Sequence, residues 1–533
     1  MTNADGIVQR HERMKSKRQA DVESVWRDCY DHTFPLRGNG LSSDTRSASS
    51  GQDKQARILD STASDSCNIL ASNIMAGLTP SNAAWFALDV GNETDEERRW
   101  LDESADLLWE NIHMANFDAE AFEGCLDIAS AGMFALYVDE DRERGGFAFE
   151  QWPLGQCSFG STRPDGRVDI VHREYVLTAE QAERDFGRGK LPEQIRKAAQ
   201  DKPEQEFRFL HAIYPRSPHV VGAKLAKNLP VASCHIALDD KTVVRESGYH
   251  EMPVVVPRWI RVPGSVYAVG PMYSALPDVR LLNELKAIEL SAADIAVSGM
   301  WLGIDDGVFN PRTVKLGPRK IIVAAEKDSL TPLQTGANFQ LSDMMVAKLQ
   351  AAIRKVLMAD QLTPQDGPQM TATEVHVRVE MIRKLLGPIY GRLQAEYLKP
   401  LIERCFGIAF RAGIFRPAPQ SLRGRSFSVR YVSPMARAQK LEDVMAVEAT
   451  WAAAGQLAQF KPEILDELDA SKSLELLIEG RGAPQSIRRS AEDVAKLREE
   501  RAAAQAQQAQ QAGAMQAQQV GMEEMAKKAA QVA

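Results

Sequence analysis

Apolar residues recur every three or four positions in two long stretches near the middle of the chain. The first stretch spans about residues 274–300, and its repeated positions are Leu281, Leu285, Ile288, Ala292 and Ile295. The second spans about residues 342–360, and its repeated positions are Met345, Leu349, Ala352, Val356 and Ala359. This rhythm predicts two long helices, each with one narrow apolar stripe that faces a partner helix.

A polar loop is predicted directly after the second helix, over residues 361–370. Proline and glycine disfavour a helix there, and the polar or turn-forming members are Gln361, Thr363, Pro364, Gln365, Asp366, Gly367 and Gln369. The loop contains no lysine or arginine. Because each cation that contacts a phosphate adds to nucleic-acid affinity, the loop is expected to bind nucleic acid weakly.

A third helix is expected to begin where Thr371 and Glu374 form a capping box, in which each side chain bonds an exposed backbone N–H. The apolar face of this helix continues as far as Leu401. Pro388 and Pro400 lack the backbone donor that a helix uses, so we expect a kink just before each of them.

The hydrophobic period changes near residue 135. Before that point the pattern predicts a short strand near Trp85, a Gly/Ser/Asp-rich loop over residues 36–55, and helices over residues 10–34, 58–78, 93–114 and 118–133. After it the period is two, which predicts strands over residues 134–138, 146–150, 168–172, 207–213, 233–238 and 252–257. A hairpin turn at residues 164–166 and one helix, begun by a capping box of Thr178 and Gln181, are expected among these strands.

The remaining segments are shorter. Residues 303–338, between the two long helices, contain a candidate strand at 320–324. They are too few to form a hydrophobic core of their own, so we expect their apolar side chains to be buried against neighbouring chains. After Gly413 the pattern predicts one strand and then three helices, over residues 427–432, 436–453, 462–470 and 474–479. A charged helix is predicted for residues 488–501, and residues 502–522 are uncharged low-complexity sequence of mostly Ala and Gln.

Composition excludes several classes of protein. The chain has 533 residues, of which 44% are hydrophobic and 26% charged, as in soluble globular proteins. Its formal net charge of −8 argues against a protein whose whole surface binds nucleic acid. The 6 cysteines form no CxxC pair, which indicates free thiols in a reducing cytoplasm. No uncharged apolar run reaches the length of a membrane span.

Motifs that would carry catalysis are absent from the sequence. It has no GxxxxGK[ST] phosphate-binding loop, no GxSxG nucleophile elbow and no HExxH metal motif. Cys234 and the histidines near it do not have the spacing of zinc ligands. A possible calcium loop over residues 139–150 has Arg144 where glycine is needed, so a solvated hairpin turn is favoured there. We therefore expect no catalytic residue, no metal and no cofactor.

Several stretches resemble the portal proteins, or head-to-tail connectors, of short-tailed bacteriophages. The most specific is Met370-Thr-Ala-Thr-Glu-Val375, and the longest are Tyr267-Ala-Val-Gly-Pro-Met-Tyr-Ser-Ala-Leu-Pro-Asp-Val-Arg-Leu-Leu-Asn283 and Leu385-Leu-Gly-Pro-Ile-Tyr-Gly-Arg-Leu-Gln394. Shorter stretches agree in the family's order, namely Leu59-Asp-Ser-Thr-Ala63, Leu78-Thr-Pro, Trp85-Phe86 and Ser433-Pro-Met-Ala-Arg-Ala-Gln-Lys440. The resemblance covers about residues 10–480. It implies a dodecameric ring at one capsid vertex, through which DNA is packaged and ejected.

The resemblance also implies an α+β portal fold that is divided into named parts. Residues 1–267 would form an α/β wing, with N-terminal helices and then a β-rich part. The parts that follow would be stem helix one (268–302), a small β-containing clip (303–338), stem helix two (339–360), a tunnel loop (361–370), a kinked helix that links the channel to the wing (371–413), a wing strand with a helical crown (414–487), and a charged, then Ala/Gln-rich tail (488–533).

Roles for individual residues follow from this division. The loop at 361–370 would project into the channel, and the ring interface would use the stem positions Leu281, Leu285, Ile288, Ile295, Met345, Leu349 and Val356. The clip surface that meets motor and tail would include Asp305, Asp306, Arg312, Lys315, Arg319 and Lys320. A further set would touch DNA phosphates or form ion pairs between subunits, and the sequence leaves both open for Arg354, Lys355, Arg378, Arg383 and Lys384.

The implied partners are further copies of the chain, double-stranded DNA, the terminase large subunit as a separate ATPase, major capsid and scaffolding proteins, and tail adaptor proteins. The implied location is the head–tail junction of the virion, after assembly in the host bacterial cytoplasm, with no membrane. Two alternatives stay open. One is a metal-dependent nuclease or other phage DNA-processing enzyme that uses Asp305 and Asp306 or the acids at 139–150. The other is a tail adaptor ring, which would be shorter and would lack the paired long helices.

Overall fold

Helices and antiparallel sheets both contribute to the fold, which confirms the predicted α+β class. The structure is a computed structural model of the chain. It describes residues 4–38, 41, 48–81, 84–91, 94–141, 143–217, 225–298, 300–303, 330–333, 339–362, 387, 389–422, 428–431, 434–458, 461, 463, 467–481, 494, 496–497, 499–501 and 503–504.

The N-terminal helix is almost continuous over residues 4–31. It consists of Ala4–Arg18, a π-helical turn at Gln19–Glu23, and Ser24–Asp31. Trp26 and Tyr30 on its inner face are almost fully buried, as the predicted amphipathic pattern requires. The π turn brings Arg18 Nε to 3.1 Å from Glu23 Oε2, and the same guanidinium donates to backbone carbonyl oxygens between residues 154 and 157. These bonds fix the helix on the β-rich part.

Four further helices and one short strand complete the described segment before residue 135. The helices are Ala48–Gln55, Thr62–Leu78, Asp95–Met114 and Phe117–Ser130, and the strand is Phe86–Asp89. The helices predicted over 58–78, 93–114 and 118–133 are confirmed with small shifts of their ends. The loop predicted over 36–55 is wrong in its second part, because residues 48–55 are helical. Lys54 Nζ donates to Asp31 Oδ1 at 2.7 Å, so a tertiary contact holds a segment whose composition favours a loop.

A three-stranded antiparallel sheet follows, with strand order Phe147–Trp152, Ala135–Glu140 and Val254–Val255. Each strand coincides with a predicted one. The outer edge of this sheet is occupied by a side chain. Asn116 Oδ1 accepts from Phe149 N at 3.0 Å, and Asn116 Nδ2 donates to Phe149 O at 2.8 Å. These bonds occupy the backbone groups that another strand would otherwise pair with.

A five-stranded antiparallel sheet forms the rest of the β-rich part, in the order Cys157–Gly160, Ile170–Thr178, Glu206–Pro215, Val231–Ala237 and Thr242–Tyr249. The predicted turn at 164–166 joins the first two strands, and Gly166 adopts a φ of 72° that other residues rarely adopt. The first and last strands were not predicted. The first is only four residues long, and the last is mainly polar, so neither shows the apolar alternation on which strand prediction depends.

Two helices pack beside this sheet, where the sequence predicted one. Ala179–Phe186 begins at the predicted capping box, because Thr178 and Gln181 exchange the expected backbone hydrogen bonds. The unpredicted helix is Glu193–Asp201. It contributes only Ile195 and Ala198 to the buried cluster, so its apolar stripe is short and weak in the sequence.

The main core lies between the N-terminal helix and the two sheets. Its largest fully buried side chains are Trp26, Tyr30, Trp152 and Tyr267, and Trp26 Nε1 donates to Ala268 O at 3.0 Å. All 6 cysteines are buried and free, as their spacing predicted. The core therefore ties the N-terminus to the segment that enters the first stem helix.

The described residues of the second half of the chain are mostly helical. Its elements are the strands Ile260–Arg261 and Ala268–Val269, the helix Pro271–Ser298, the strands Met300–Gly303 and Leu330–Leu333, the helices Phe339–Val356 and Ala359–Leu362, the π-helical turn Gln394–Leu398, the helix Lys399–Ala412, the strand Ser428–Tyr431, and the helices Pro434–Ala458 and Ala470–Arg481. The ends of the predicted first stem segment, 268–302, are thus strands. The predicted strand at 320–324 and the capping box of Thr371 and Glu374 lie outside the described residues. Of the predicted helix over 462–470, residues 462 and 464–466 also lie outside them, and the helix Ala470–Arg481 begins only at its last position.

The chain divides into two compact units. The first comprises Met1–Ala87, Ser104–Pro417 and Val429–Ser433, and the second comprises Leu88–Glu103, Ala418–Ser428 and Pro434–Ala533. All of the site features considered below belong to the first unit.

Candidate assembly interface and channel elements

The helices Pro271–Ser298 and Phe339–Val356, named here the first and second stem helices, pack against each other. The strands that follow the first and precede the second pair antiparallel, so the two helices lead into and out of the same short ribbon. The side chains that these helices bury within the subunit are Met272, Ala275, Leu276, Val279 and Leu282 on the first, and Val346 and Ile353 on the second. This buried set differs from the stripe that the sequence singled out.

The two helices carry large apolar side chains that the described part of the subunit leaves exposed. Between residues 284 and 295 of the first helix no described side chain is buried. The exposed fractions of the apolar side chains are 44% for Leu281, 64% for Ile288, 58% for Leu290, 53% for Leu341, 54% for Met344 and 43% for Met345. Large apolar side chains exposed in this number along two helices favour an interaction site. Among the described residues, the distal parts of the stem helices therefore carry apolar side chains without a cover.

The predicted interface positions belong to this uncovered surface. Leu281, Ile288 and Met345 are exposed, and the half-buried positions are Leu285, Ile295, Leu349 and Val356. None of these seven side chains is buried within the subunit. Their assignment to a contact between subunits stays a prediction that the exposure supports.

Residues 57–62, named here the strap, hold the two stem helices together. Asn283 of the first helix uses both amide atoms, because Oδ1 accepts from Leu59 N and Nδ2 donates to Arg57 O, each at 2.8 Å. Gln350 of the second helix donates through Nε2 to Asp60 Oδ2 at 2.7 Å. One short segment thus contacts both helices.

Asp60 also bonds the first residue of the next helix, Thr62–Leu78, whose N-cap is Ser61. Asp60 Oδ1 accepts from Thr62 N at 2.9 Å. Burial alone would raise the pKa of Asp60, but hydrogen bonds from Thr62 and Gln350 and the charge of Lys286 hold that pKa below its usual value. The carboxylate is therefore charged at neutral pH and holds the strap in place.

The first two positions of the predicted loop, residues 361 and 362, are helical. The second stem helix ends at Val356, Met358 adopts a positive φ of 60°, and a new helical turn spans Ala359–Leu362. Gln361 is therefore helical, and the prediction that it belongs to the loop is wrong. The turn at Met358 ends the regular helix before the proline-rich sequence is reached, and helix resumes for one turn after it.

Several predicted site residues lie outside the described residues: Thr363, Pro364, Gln365, Asp366, Gly367 and Gln369 of the loop; Arg378, Arg383 and Lys384; and Asp305, Asp306, Arg312, Lys315, Arg319 and Lys320 of the clip. The cations that can be placed are Arg354 and Lys355. Both are exposed near the end of the second stem helix. Either of the roles predicted for them is compatible with that exposure.

The helix that follows the predicted loop is fastened to the β-rich part by ion pairs. Arg258 donates to both oxygens of Glu396, at 2.5 and 2.9 Å, and its own side chain is only 3% exposed. Farther along, Glu251 is bonded by Arg411 at 2.7 and 2.9 Å and by the buried Arg404 at 3.3 Å. Sequence patterns did not indicate these pairs, because their members are more than a hundred positions apart.

A π-helical turn at Gln394–Leu398 interrupts this helix directly before Lys399 and Pro400. The sequence predicted an irregularity at this place, because Pro400 has no backbone N–H to donate. Glu396 lies within the turn and makes the ion pair with Arg258. Pro388, where the other kink was predicted, lies outside the described residues.

A row of four basic or imidazole side chains crosses the five-stranded sheet and lines an open cleft of about 1630 Å³. Strand register pairs Arg173 with His211, His211 with His235, and His235 with Arg245. The two imidazole rings stack with centroids 3.9 Å apart. Arg173 Nη1 donates to Glu150 at 2.7 Å, and acidic and basic side chains line the cleft in similar number. The cleft therefore does not have the excess positive charge of an anion site.

The acids at 139–150, which the nuclease alternative would use, are engaged by protein groups. Asp139 accepts from Tyr137 Oη at 2.6 Å, and Asp141 accepts from the backbone N–H groups of Glu143 and Arg144. In the part of the chain that the structure describes, no cluster of three or more His, Cys, Asp or Glu side chains has a geometry that could hold a metal ion.

Acid should destabilise the β-rich part, because it buries neutral histidines. Burial, with the charges of His11 and Arg10, lowers the pKa of His172 from 6.5 to about 3. The unfolded chain therefore binds more protons below about pH 6.5, and the unfolding free energy falls by about 1.4 kcal/mol per pH unit for such a histidine. Replacing His172 with Leu should flatten the pH dependence of the urea midpoint between about pH 6.5 and 5. The same change at exposed His250 is the control, and equal slopes in both variants would contradict the account.

Comparison with known proteins identifies the family. Residues 4–488 match the family described as bacteriophage head to tail connecting protein, and the chain belongs to this family. The probable portal protein of Bordetella phage BPP-1 is 27% identical over 528 residues, which cover 94% of this chain and 92% of that protein. The portal protein of Salmonella phage epsilon15 is 26% identical, with coverage of 96% and 93%, and that of Escherichia phage T7 is 22% identical, with coverage of 75% and 73%.

A solved structure titled the neck of an empty GTA particle matches with a TM-score of 0.36 and 13% identity, over 76% of this chain and 88% of that chain. Within the described residues, no helix is both long and apolar enough to cross a membrane.

Family membership confirms the predicted class. The chain is a portal subunit at the head–tail junction of a phage particle, where it is a structural part of an oligomeric ring with capsid and tail components. The nuclease and tail adaptor alternatives are not favoured by these matches.

Proposed function

We propose that copies of this chain close into a dodecameric ring at one capsid vertex and that double-stranded DNA passes through the central channel during packaging and ejection. The uncovered apolar surface of the two stem helices carries this proposal. In a closed ring every subunit offers the same two faces to its neighbours, so each uncovered face finds a partner and no copy is left with an open edge.

The charges near the channel suit passage of DNA without strong binding. The formal net charge of the chain is −8, and the predicted loop contributes no cation. Arg354 and Lys355 are exposed at the end of the second stem helix, where they would contact phosphates or pair with acids of a neighbouring subunit. Weak contacts favour translocation, because affinity for DNA grows with each phosphate that a cation neutralises.

The proposed partners follow from the ring. The terminase large subunit, which would supply ATP hydrolysis, docks on the clip during packaging, and tail adaptor proteins replace it afterwards. Major capsid and scaffolding proteins surround the wing, and assembly takes place in the host bacterial cytoplasm. The subunit itself has no catalytic role. Cleavage of DNA by the purified protein that depends on a divalent ion would favour the nuclease alternative and contradict this proposal.

Removing residues 363–369 should leave ring assembly intact but impair DNA packaging or let packaged DNA escape. The turn-rich loop is predicted to face the channel, where its backbone groups are hydrated, and to lie outside the interface between stem helices. Normal packaging and retention in particles that carry the deletion would contradict the channel assignment.

Adding cations to the same loop, with Gln365→Arg and Asp366→Lys, should slow packaging in a salt-dependent way, because each new phosphate contact steepens the dependence of DNA affinity on salt. The measurement is packaged DNA per particle over time at two ionic strengths. The control, Gln365→Asn with Asp366→Asn, changes the side chains but adds no cation and should package at the normal rate at both. Equal rates in the two variants would contradict the prediction.

A further inference from the structure

The strap contacts the stem helices where they leave the core of the subunit. Asn283 directly follows Leu282, which is the last buried residue described on the first stem helix. Gln350 lies between the buried Val346 and Ile353 on the second. The distal parts of both helices extend beyond this level with their apolar side chains uncovered. The direction in which they project therefore depends on contacts at the level of the strap.

Two separate stretches of the sequence meet at the strap. Asn283 is the last residue of the longest stretch that resembles the family, and Leu59 and Asp60 belong to another such stretch. The structure joins them by the bonds of Asn283 to Leu59 N and Arg57 O. Leu59 is itself 39% exposed, so the strap does not owe its position to burial of that side chain. The polar bonds define its place on the helices together with half-buried Ile58, which lines a small cleft with Leu282 and Ile353.

We propose that the strap is a positioning element that sets the angle at which the distal stem helices project. Through that angle it determines whether all rings contain the same number of subunits. This inference rests on the ring assembly proposed above. Successive subunits are rotated by about 30° in a ring of twelve and about 28° in a ring of thirteen. A change of a few degrees in the angle between the two interface faces of the stem is therefore enough to alter the number of subunits in the ring.

The test is native mass spectrometry of rings assembled from the full chain. Asn283→Ala removes two strap bonds and should broaden the distribution of subunit numbers, and Gln350→Ala removes one and should have a smaller effect in the same direction. Ser72→Ala is the control on the helix that follows the strap, since Ser72 is exposed and its Oγ donates to Asn68 O of its own helix, 2.8 Å away. It should give the wild-type distribution.

Circular dichroism and thermal unfolding of each variant separate positioning from folding. We expect Asn283→Ala to unfold cooperatively near the wild-type temperature. An unfolded Asn283→Ala variant would overturn the inference, because the strap would then be required for the fold itself. A folded variant with the wild-type distribution of subunit numbers would overturn it as well. If the wild-type chain forms no ring, the proposed function fails, and that result is distinct from either outcome.

Discussion

Replacing Leu285 and Ile288 with Asp should abolish ring assembly and leave the subunit folded. Ile288 is 64% exposed in the single subunit, so a carboxylate there stays hydrated as long as the subunit is alone. In the ring both positions are expected to be covered by a neighbour, and burying an unpaired charge costs several kcal/mol per site. Sedimentation velocity of the double variant should therefore show a folded monomer where the wild-type chain gives a ring.

Two further substitutions on the same helix serve as controls. Ala287→Asp adds a charge at an exposed position about 120° around the helix from the apolar stripe and should leave the ring intact. Leu282→Asp places a charge at a side chain that is only 2% exposed within the subunit, so this variant should lose its fold. If the Leu285 and Ile288 double variant sediments as a full ring, these faces are not the interface.

Removing Glu396 should be among the most destabilising single changes in the chain. The variant Glu396→Leu leaves the buried Arg258 guanidinium without its carboxylate, which costs about 3–5 kcal/mol for such a pair. The double variant Arg258→Met with Glu396→Leu should be more stable than that single variant, because no buried charge remains. Two backbone carbonyl oxygens that accept from Arg258 Nη1, those of Gly166 and Val266, keep the double variant below the wild type.

Urea unfolding followed by tryptophan fluorescence measures these differences. The exposed pair of Arg184 and Glu143, with both side chains 80% exposed, provides the control. Glu143→Leu should change stability very little, because water screens an exposed pair. A double variant no more stable than Glu396→Leu would show that the pair is not the source of the effect.

The long helices and the central strands could be predicted from the sequence because their periodicity extends over many residues. The stem helices begin and end within a few residues of the expected positions, and the capping box of Thr178 and Gln181 starts a helix as expected. Elements without such a signal were missed. Thr242–Tyr249 is mainly polar and becomes a strand because its neighbour Val231–Ala237 offers a backbone to pair with.

The candidate site was predictable only in part. Periodicity indicated a stripe that needs a partner, and the exposure of Leu281, Ile288 and Met345 agrees with a partner outside the subunit. Periodicity did not indicate which side chains the subunit uses for its own packing, such as Leu282. The strap bonds of Asn283 and the pair of Arg258 and Glu396 depend on groups distant in sequence, and one sequence alone gives no signal of which distant groups meet.

Electron microscopy of the purified chain in negative stain tests the central claim most directly. Copies that cover one another's stem helices must close into annular particles with a stain-filled central hole, and class averages should show one rotational symmetry, that of twelve subunits. The Leu285 and Ile288 double variant should give no rings on the same grids. Monomers, open filaments or solid particles without a hole from the wild-type chain would contradict the account.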